Sequence, residues 1–214
     1  MFSVLITAVK NILLDTVFPP SARSHRIAEA DAPLPYAPST RRIGAHGVTV
    51  LASYFEPRVR DAICALKFER DRRACALLAD MLNDFLVEYI ADEALFGGRT
   101  VAVPIPLGKK RLAGRGLNQI ESVLRATHVV RSGRLPLVPA LVRTRETNMQ
   151  STLQRAERIT NMRGAFSLAP NTPSLRNTTV LLIDDVTTTG ATLSEAAEPL
   201  REAGATVQLI ALAG

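Results

Sequence analysis

The sequence predicts an α/β domain with a mostly parallel central sheet flanked by helices, and three observations lead there. Val180, Leu181, Leu182 and Ile183 form an uninterrupted apolar run between Asn177 and Asp184, the pattern of a strand covered on both faces. A loop, a helical pattern from Leu193 to Ala203, a stop at Gly204 and a second strand pattern from Thr206 to Leu212 follow. Together these form a βαβ unit, whose two strands must run parallel. Thr100 to Pro104 is another apolar run of strand length, set off by Gly97 and Gly98.

The remaining elements follow in chain order. Leu5, Val9, Ile12, Leu13 and Val17 recur at helical intervals, with Lys10 and Asp15 interrupting the apolar stretch, so the first 17 residues read as an amphipathic helix. A secretory signal is disfavoured, because no cation precedes Val4 to Val9 and no small-residue cleavage site precedes Pro19 and Pro20. Cytoplasmic residence is the corresponding expectation. Phe18 to Gly47, with Pro33, Pro35 and Pro38, reads as a long irregular connection with little regular structure.

Val48 to Tyr54 is β-branched and reads as a short strand. Pro57 then opens a helix through Val59, Ile63 and Leu66 to Phe68, at a position where its missing N–H costs nothing. Glu69 to Arg73 punctuates the pattern, and a second helix places Leu77, Leu78, Met81, Leu82 and Phe85 on one face. Cys64 and Cys75 fall in these helices and are expected to be reduced thiols in or near the core. Leu107 to Gly116 reads as a loop of glycines and cations, and Asn118 as the cap of a helix reaching Val130. A turn region over 131–140, a strand within Val138 to Thr144 and a short polar helix from Leu153 to Met162 complete the pattern.

The 214 residues suit one ordinary domain with an appendage. No apolar run approaches the roughly 20 residues that cross a bilayer. Two cysteines cannot build a disulfide framework. The net charge of +6 is unevenly placed: residues 1–97 carry −1, residues 98–176 carry +11 and residues 177–214 carry −4. Of the 26 cations 22 are Arg, whose planar fork suits phosphate oxygens. An anionic partner for the middle segment is therefore expected.

Chemistry concentrates in Val180 to Thr192, which reads VLLIDDVTTTGAT. Asp184 and Asp185 end the strand at the crevice where α/β sheets bind ligands, and two adjacent carboxylates can accept hydrogen bonds from vicinal sugar hydroxyls. The backbone N–H groups of Thr188, Thr189, Gly190, Ala191 and Thr192, the three threonine hydroxyls and the helix dipole form a cradle for a phosphate. Gly190 lets the backbone approach it closely.

This segment resembles the phosphoribosyl pyrophosphate (PRPP) binding motif of type I phosphoribosyltransferases, with Thr187 standing where an aliphatic residue is usual. A second stretch narrows the resemblance. PIPLGKKRLAGRGLNQ from Pro104 to Gln119, then Arg143-Thr144-Arg145, Gln150, Leu153, Arg158, Asn161 and Gly164-Ala165-Phe166, is similar in order and spacing to the ComF and GntX group. Leu66-Lys67-Phe68 fits that group as well.

The resemblance implies a type I phosphoribosyltransferase-like fold over residues 48–214, with residues 1–47 as a small N-terminal hood or helical appendage. It implies that Asp184 and Asp185 hold the ribose hydroxyls and act as catalytic residues, and that residues 188–192 hold the 5′-phosphate. Pyrophosphate is then expected at Leu107, Gly108, Lys109, Lys110 and Arg111, with Arg115, Asn118, Gln119, Arg143 and Arg145 as loop candidates and Mg²⁺ bound through the ligand. Members of the group commonly carry a four-cysteine zinc finger where this chain has residues 18–47, a stretch without Cys and with only His25 and His46. No structural zinc is therefore expected.

Two readings of function follow. One is a transferase that moves ribose 5-phosphate from PRPP to an acceptor. The other is a non-catalytic adaptor for single-stranded DNA or a competence helicase, using segment 98–176, in line with the group's association with natural transformation. The second is weakened by the single aromatic, Phe166, in that segment, since single-strand binders stack bases on aromatic platforms.

Overall fold

The computed structural model describes residues 27, 32–43, 46–94, 98–145 and 164–214. The expected helices over 1–17 and 153–162, and Gln150, Leu153, Arg158, Asn161 and His25, lie outside these residues.

The chain forms β1 (Ser39–Ile43), β2 (His46–Ala52), α1 (Pro57–Phe68), α2 (Arg72–Ala94), β3 (Arg99–Pro104), α3 (Lys109–Arg115), α4 (Gln119–Ala126), α5 (His128–Arg131), β4 (Leu141–Arg143), β5 (Phe166–Leu168), β6 (Thr178–Val186), α6 (Ala191–Glu202) and β7 (Thr206–Ala213). The central sheet has the order β1-β2-β7-β6-β3. Its β2, β7, β6 and β3 are mutually parallel, and β1 pairs antiparallel with β2 at the edge. β4 and β5 make a separate antiparallel ribbon.

Period-two alternation in the central strands sends successive side chains to opposite faces. Ala102, Leu181, Ile183, Ile210 and Leu212 meet α1, α2 and α4 on one face. Val101, Val103, Val180, Leu182, Leu209 and Ala211 meet α6 and the β4–β5 ribbon on the other. The result is a three-layer sandwich in which Val180 to Ile183 are wholly buried. Each such Leu or Ile contributes about 1.5–3 kcal/mol relative to an exposed position. Among the described residues no helix is long and apolar enough to cross a membrane.

Three expectations need correction. Ser39–Ile43 is a strand, so the connection before residue 48 is not all irregular and the sheet begins ahead of the expected division. Lys109–Arg115 is a short helix where a loop was expected, because Lys, Arg, Leu and Ala are strong helix formers and only Gly116 stops it. The helix expected from Asn118 to Val130 breaks at Thr127, which is extended at ψ 146° and begins the short α5. Asn118 does cap α4, accepting from the N–H of Ile120 (3.0 Å) and of Glu121 (3.4 Å). Cys64 and Cys75 are free thiols, half-buried, and burial pushes the Cys75 thiol up.

Candidate functional site at the carboxyl ends of the strands

β6 runs three residues further than its apolar core, so Asp184 and Asp185 are still part of the strand and point to opposite faces of the sheet. Each meets a cation from the layer it faces. Lys67, near the end of α1, places its Nζ 2.9 Å from Asp185 Oδ1, with both side chains about one-fifth exposed (20% and 18%). On the other face the positive charge of Arg143, on β4, acts on Asp184.

Asp184 carries a strongly raised carboxyl. Burial and then the neighbouring Asp185 charge push its carboxyl up to about 7, and the Asp185 N–H, Lys67 and Arg143 only partly offset this. That N–H donates to Asp184 Oδ1 at 2.8 Å. Near neutral pH the Asp184 carboxyl thus shares a proton with solvent, beside Asp185 and its ion pair with Lys67. Such a pair can both accept from and donate to a vicinal diol.

The loop after β6 follows directly. Thr187 is buried, and its backbone N–H donates to Ala213 O (2.9 Å), so the position atypical of the motif contributes to the sheet through its backbone. Thr188 is exposed, whereas Thr189 and Thr192 are half-buried. Gly190 adopts φ 67°, ψ 2° and precedes α6 without a side-chain cap. Thr189 Oγ1 accepts from Ala191 N–H at 3.4 Å, and Ser194 N–H closes on Gly190 O at 2.8 Å. The first turn of α6 therefore keeps donors available at the positive end of its dipole.

The third part lies beyond β3. A cavity of about 550 Å³, a volume ordinary for a small-molecule site, is lined by Pro104, Leu107, Lys109, Asn118 and Arg143 among others. Leu107 and Gly108 remain in the loop. Lys109, Lys110 and Arg111 form the first turn of α3, whose N–H groups have no intrahelical acceptor. Arg143 stacks over Phe166 at 5.3 Å, and its Nε donates to Arg145 O at 3.3 Å.

The loop candidates separate here. Arg143 reaches the site. Asn118 spends its amide on structure, bonding Ile105 O at 2.8 Å as well as capping α4, and Gln119 is buried beneath the helix. Arg115 sits at the last position of α3, and Arg145 is exposed beside β4. Lys67, marked in the sequence only as part of Leu66-Lys67-Phe68, is brought to the site by the tertiary structure. It follows the buried Ala65 and Leu66 near the end of α1.

Residues 119–214 match the phosphoribosyl transferase domain family, a span that contains the acid pair and the Thr-rich loop. Competence protein F of Haemophilus influenzae is 36% identical over 103 residues, 48% of this chain and 44% of that protein. Competence protein ComFC of Streptococcus pneumoniae is 30% identical over 151 residues, 71% of this chain and 60% of that protein. These matches support a ComF-type phosphoribosyltransferase-like protein. Its mostly parallel sheet with helices on both faces is the type I phosphoribosyltransferase-like fold. The chain spans less than two thirds of either ComF relative.

Proposed function

We propose that the protein binds PRPP or a closely related phosphorylated ribose and transfers its phosphoribosyl group to an acceptor. The observation that carries this reading is the continuity of Asp184, Asp185 and the uncapped first turn of α6 around Gly190. Asp184 and Asp185 take the ribose hydroxyls, and the N–H groups and hydroxyls of residues 188–192 take the 5′-phosphate. The amides of Leu107 to Arg111, with Lys109 and Arg143, face the pyrophosphate. As the bond between the anomeric carbon and pyrophosphate oxygen breaks, negative charge grows on the leaving group and positive charge on the sugar. Preorganised donors and cations on one side, and the acid pair on the other, suit that distribution.

Among the described residues no three His, Cys, Asp or Glu side chains cluster as a metal cage. The acid pair fits a Mg²⁺ that arrives held by the ligand's own phosphates and water, the usual manner for this ion. When bound, Mg²⁺ would neutralise charge on the departing pyrophosphate. No structural zinc is proposed, since residues 18–47 contain no Cys. Metal analysis of the purified chain should find no zinc, and one zinc per chain would overturn this. The names of the two relatives support a role linked to competence.

Isothermal titration of the wild-type chain should give Mg²⁺-dependent heat with PRPP, abolished in the variant combining Asp184→Asn with Asp185→Asn. No heat at millimolar PRPP would remove the reading.

A further inference from the structure

The C-terminal end of α1 contributes a group to this site that the motif does not contain. Lys67 comes from the layer opposite α6, and its ammonium lies 2.9 Å from Asp185 Oδ1. The residues before it on the helix, Ala65 and Leu66, are buried against the sheet, so the stem of Lys67 is carried on a fixed base. Beyond Lys67 the helix ends at Phe68, and the turn reaches Arg70, whose guanidinium donates to Gly114 O at 3.3 Å. The end of α1 is thus tied to the segment after β3 as well as to β6.

We infer that Lys67 is a positioning residue of the phosphorylated-ribose site, holding the Asp185 carboxylate aimed so that the acid pair can grip a vicinal diol. The inference rests on the reading of the acid pair as a ribose site. An ammonium has three donors, and the contact with Asp185 takes one of them. Without that cation, two adjacent carboxylates at the end of a buried strand repel each other. The acceptor geometry of Asp185 is lost with it. The phosphate cradle at the start of α6 does not involve Lys67, so the two halves of the ligand report on different residues.

Among the described residues Asp185 is faced by Lys67 from α1, by Tyr54 beyond β2 and by Asp184 on its own strand. Asp184 is faced by Asp185, Lys67 and Arg143.

Titration calorimetry with ribose 5-phosphate, and separately with inorganic phosphate, tests this on the full chain as wild type, Lys67→Met and Lys67→Arg. Lys67→Met should bind ribose 5-phosphate about tenfold more weakly at pH 7, while inorganic phosphate binds as in wild type. Lys67→Arg should restore most of the affinity. Equal affinity of Lys67→Met and wild type for ribose 5-phosphate would overturn the inference. So would a parallel loss of inorganic phosphate binding, which marks a general structural defect. If Lys67→Met does not fold, Lys67→Gln takes its place with the same outcomes. Absence of ribose 5-phosphate binding by the wild type is a different outcome, since it removes the reading of the site itself.

Discussion

Asp184→Asn is expected to make the protein more stable at pH 8 while weakening its binding of ribose 5-phosphate by tenfold or more. The folded chain holds the Asp184 carboxyl near 7, far above the value of 3.8 expected in an unfolded chain. Between those values the unfolded chain has released a proton that the folded chain retains. Stability therefore falls as pH rises from about 4 toward 7, and stays lower above it. Asn carries no charge to desolvate and no repulsion toward Asp185, and its side-chain oxygen can still accept the 2.8 Å bond from the Asp185 N–H. The variant should gain on the order of 1–2 kcal/mol over wild type at pH 8, with the gap closing toward pH 4. Urea denaturation at pH 5 and pH 8 measures both limbs. Parallel pH profiles, or a variant less stable than wild type at pH 8, would show that the site stores no such cost. The expected trade of stability for binding is the usual signature of a functional site.

The parts of the fold legible in the sequence are those governed by burial. Val180 to Ile183 had to be a strand covered on both sides, and Gly204 had to end the following helix, because both patterns act within a few residues. β1 was not legible for the opposite reason. Its STRRI sequence lies at a sheet edge, pairs with β2 alone and needs no apolar run to do so. α3 was hidden by Gly114 and Gly116, which read as loop residues although the intervening Lys, Arg, Leu and Ala favour helix.

The site divides in the same way. The acid pair and the Thr-rich loop are contiguous in sequence, and their chemistry is local. Lys67 acquires its meaning from where α1 ends relative to β6, while Asn118 both lines the cavity and caps α4, and Gln119 is buried. Only tertiary placement decides such cases.

Gly190→Ala should cost stability and phosphate affinity together, whereas Gly204→Ala should cost stability alone. The two glycines bracket α6, and both have positive φ, 67° and 86° respectively. A side chain there costs about 1–2 kcal/mol in the left-handed region, more than Ala recovers by restricting the unfolded chain. At Gly204 the new Cβ would also sit 3.2 Å from Arg176 Cγ, a contact that a flexible side chain can relieve. That end of the helix lies away from the carboxyl ends of β6 and β3. Gly190, by contrast, sets the turn from which the first N–H groups of α6 point outward, so any backbone adjustment that relieves Ala at this position rotates the donors of the cradle. Affinity for inorganic phosphate, measured by calorimetry, should drop at least tenfold in Gly190→Ala and stay at the wild-type value in Gly204→Ala, with both variants less stable by about 1–2 kcal/mol in urea. Wild-type phosphate affinity in both variants would mean that the first turn of α6 is not the phosphate cradle. A loss in Gly204→Ala as large as in Gly190→Ala would place the effect in the stability of α6 as a whole.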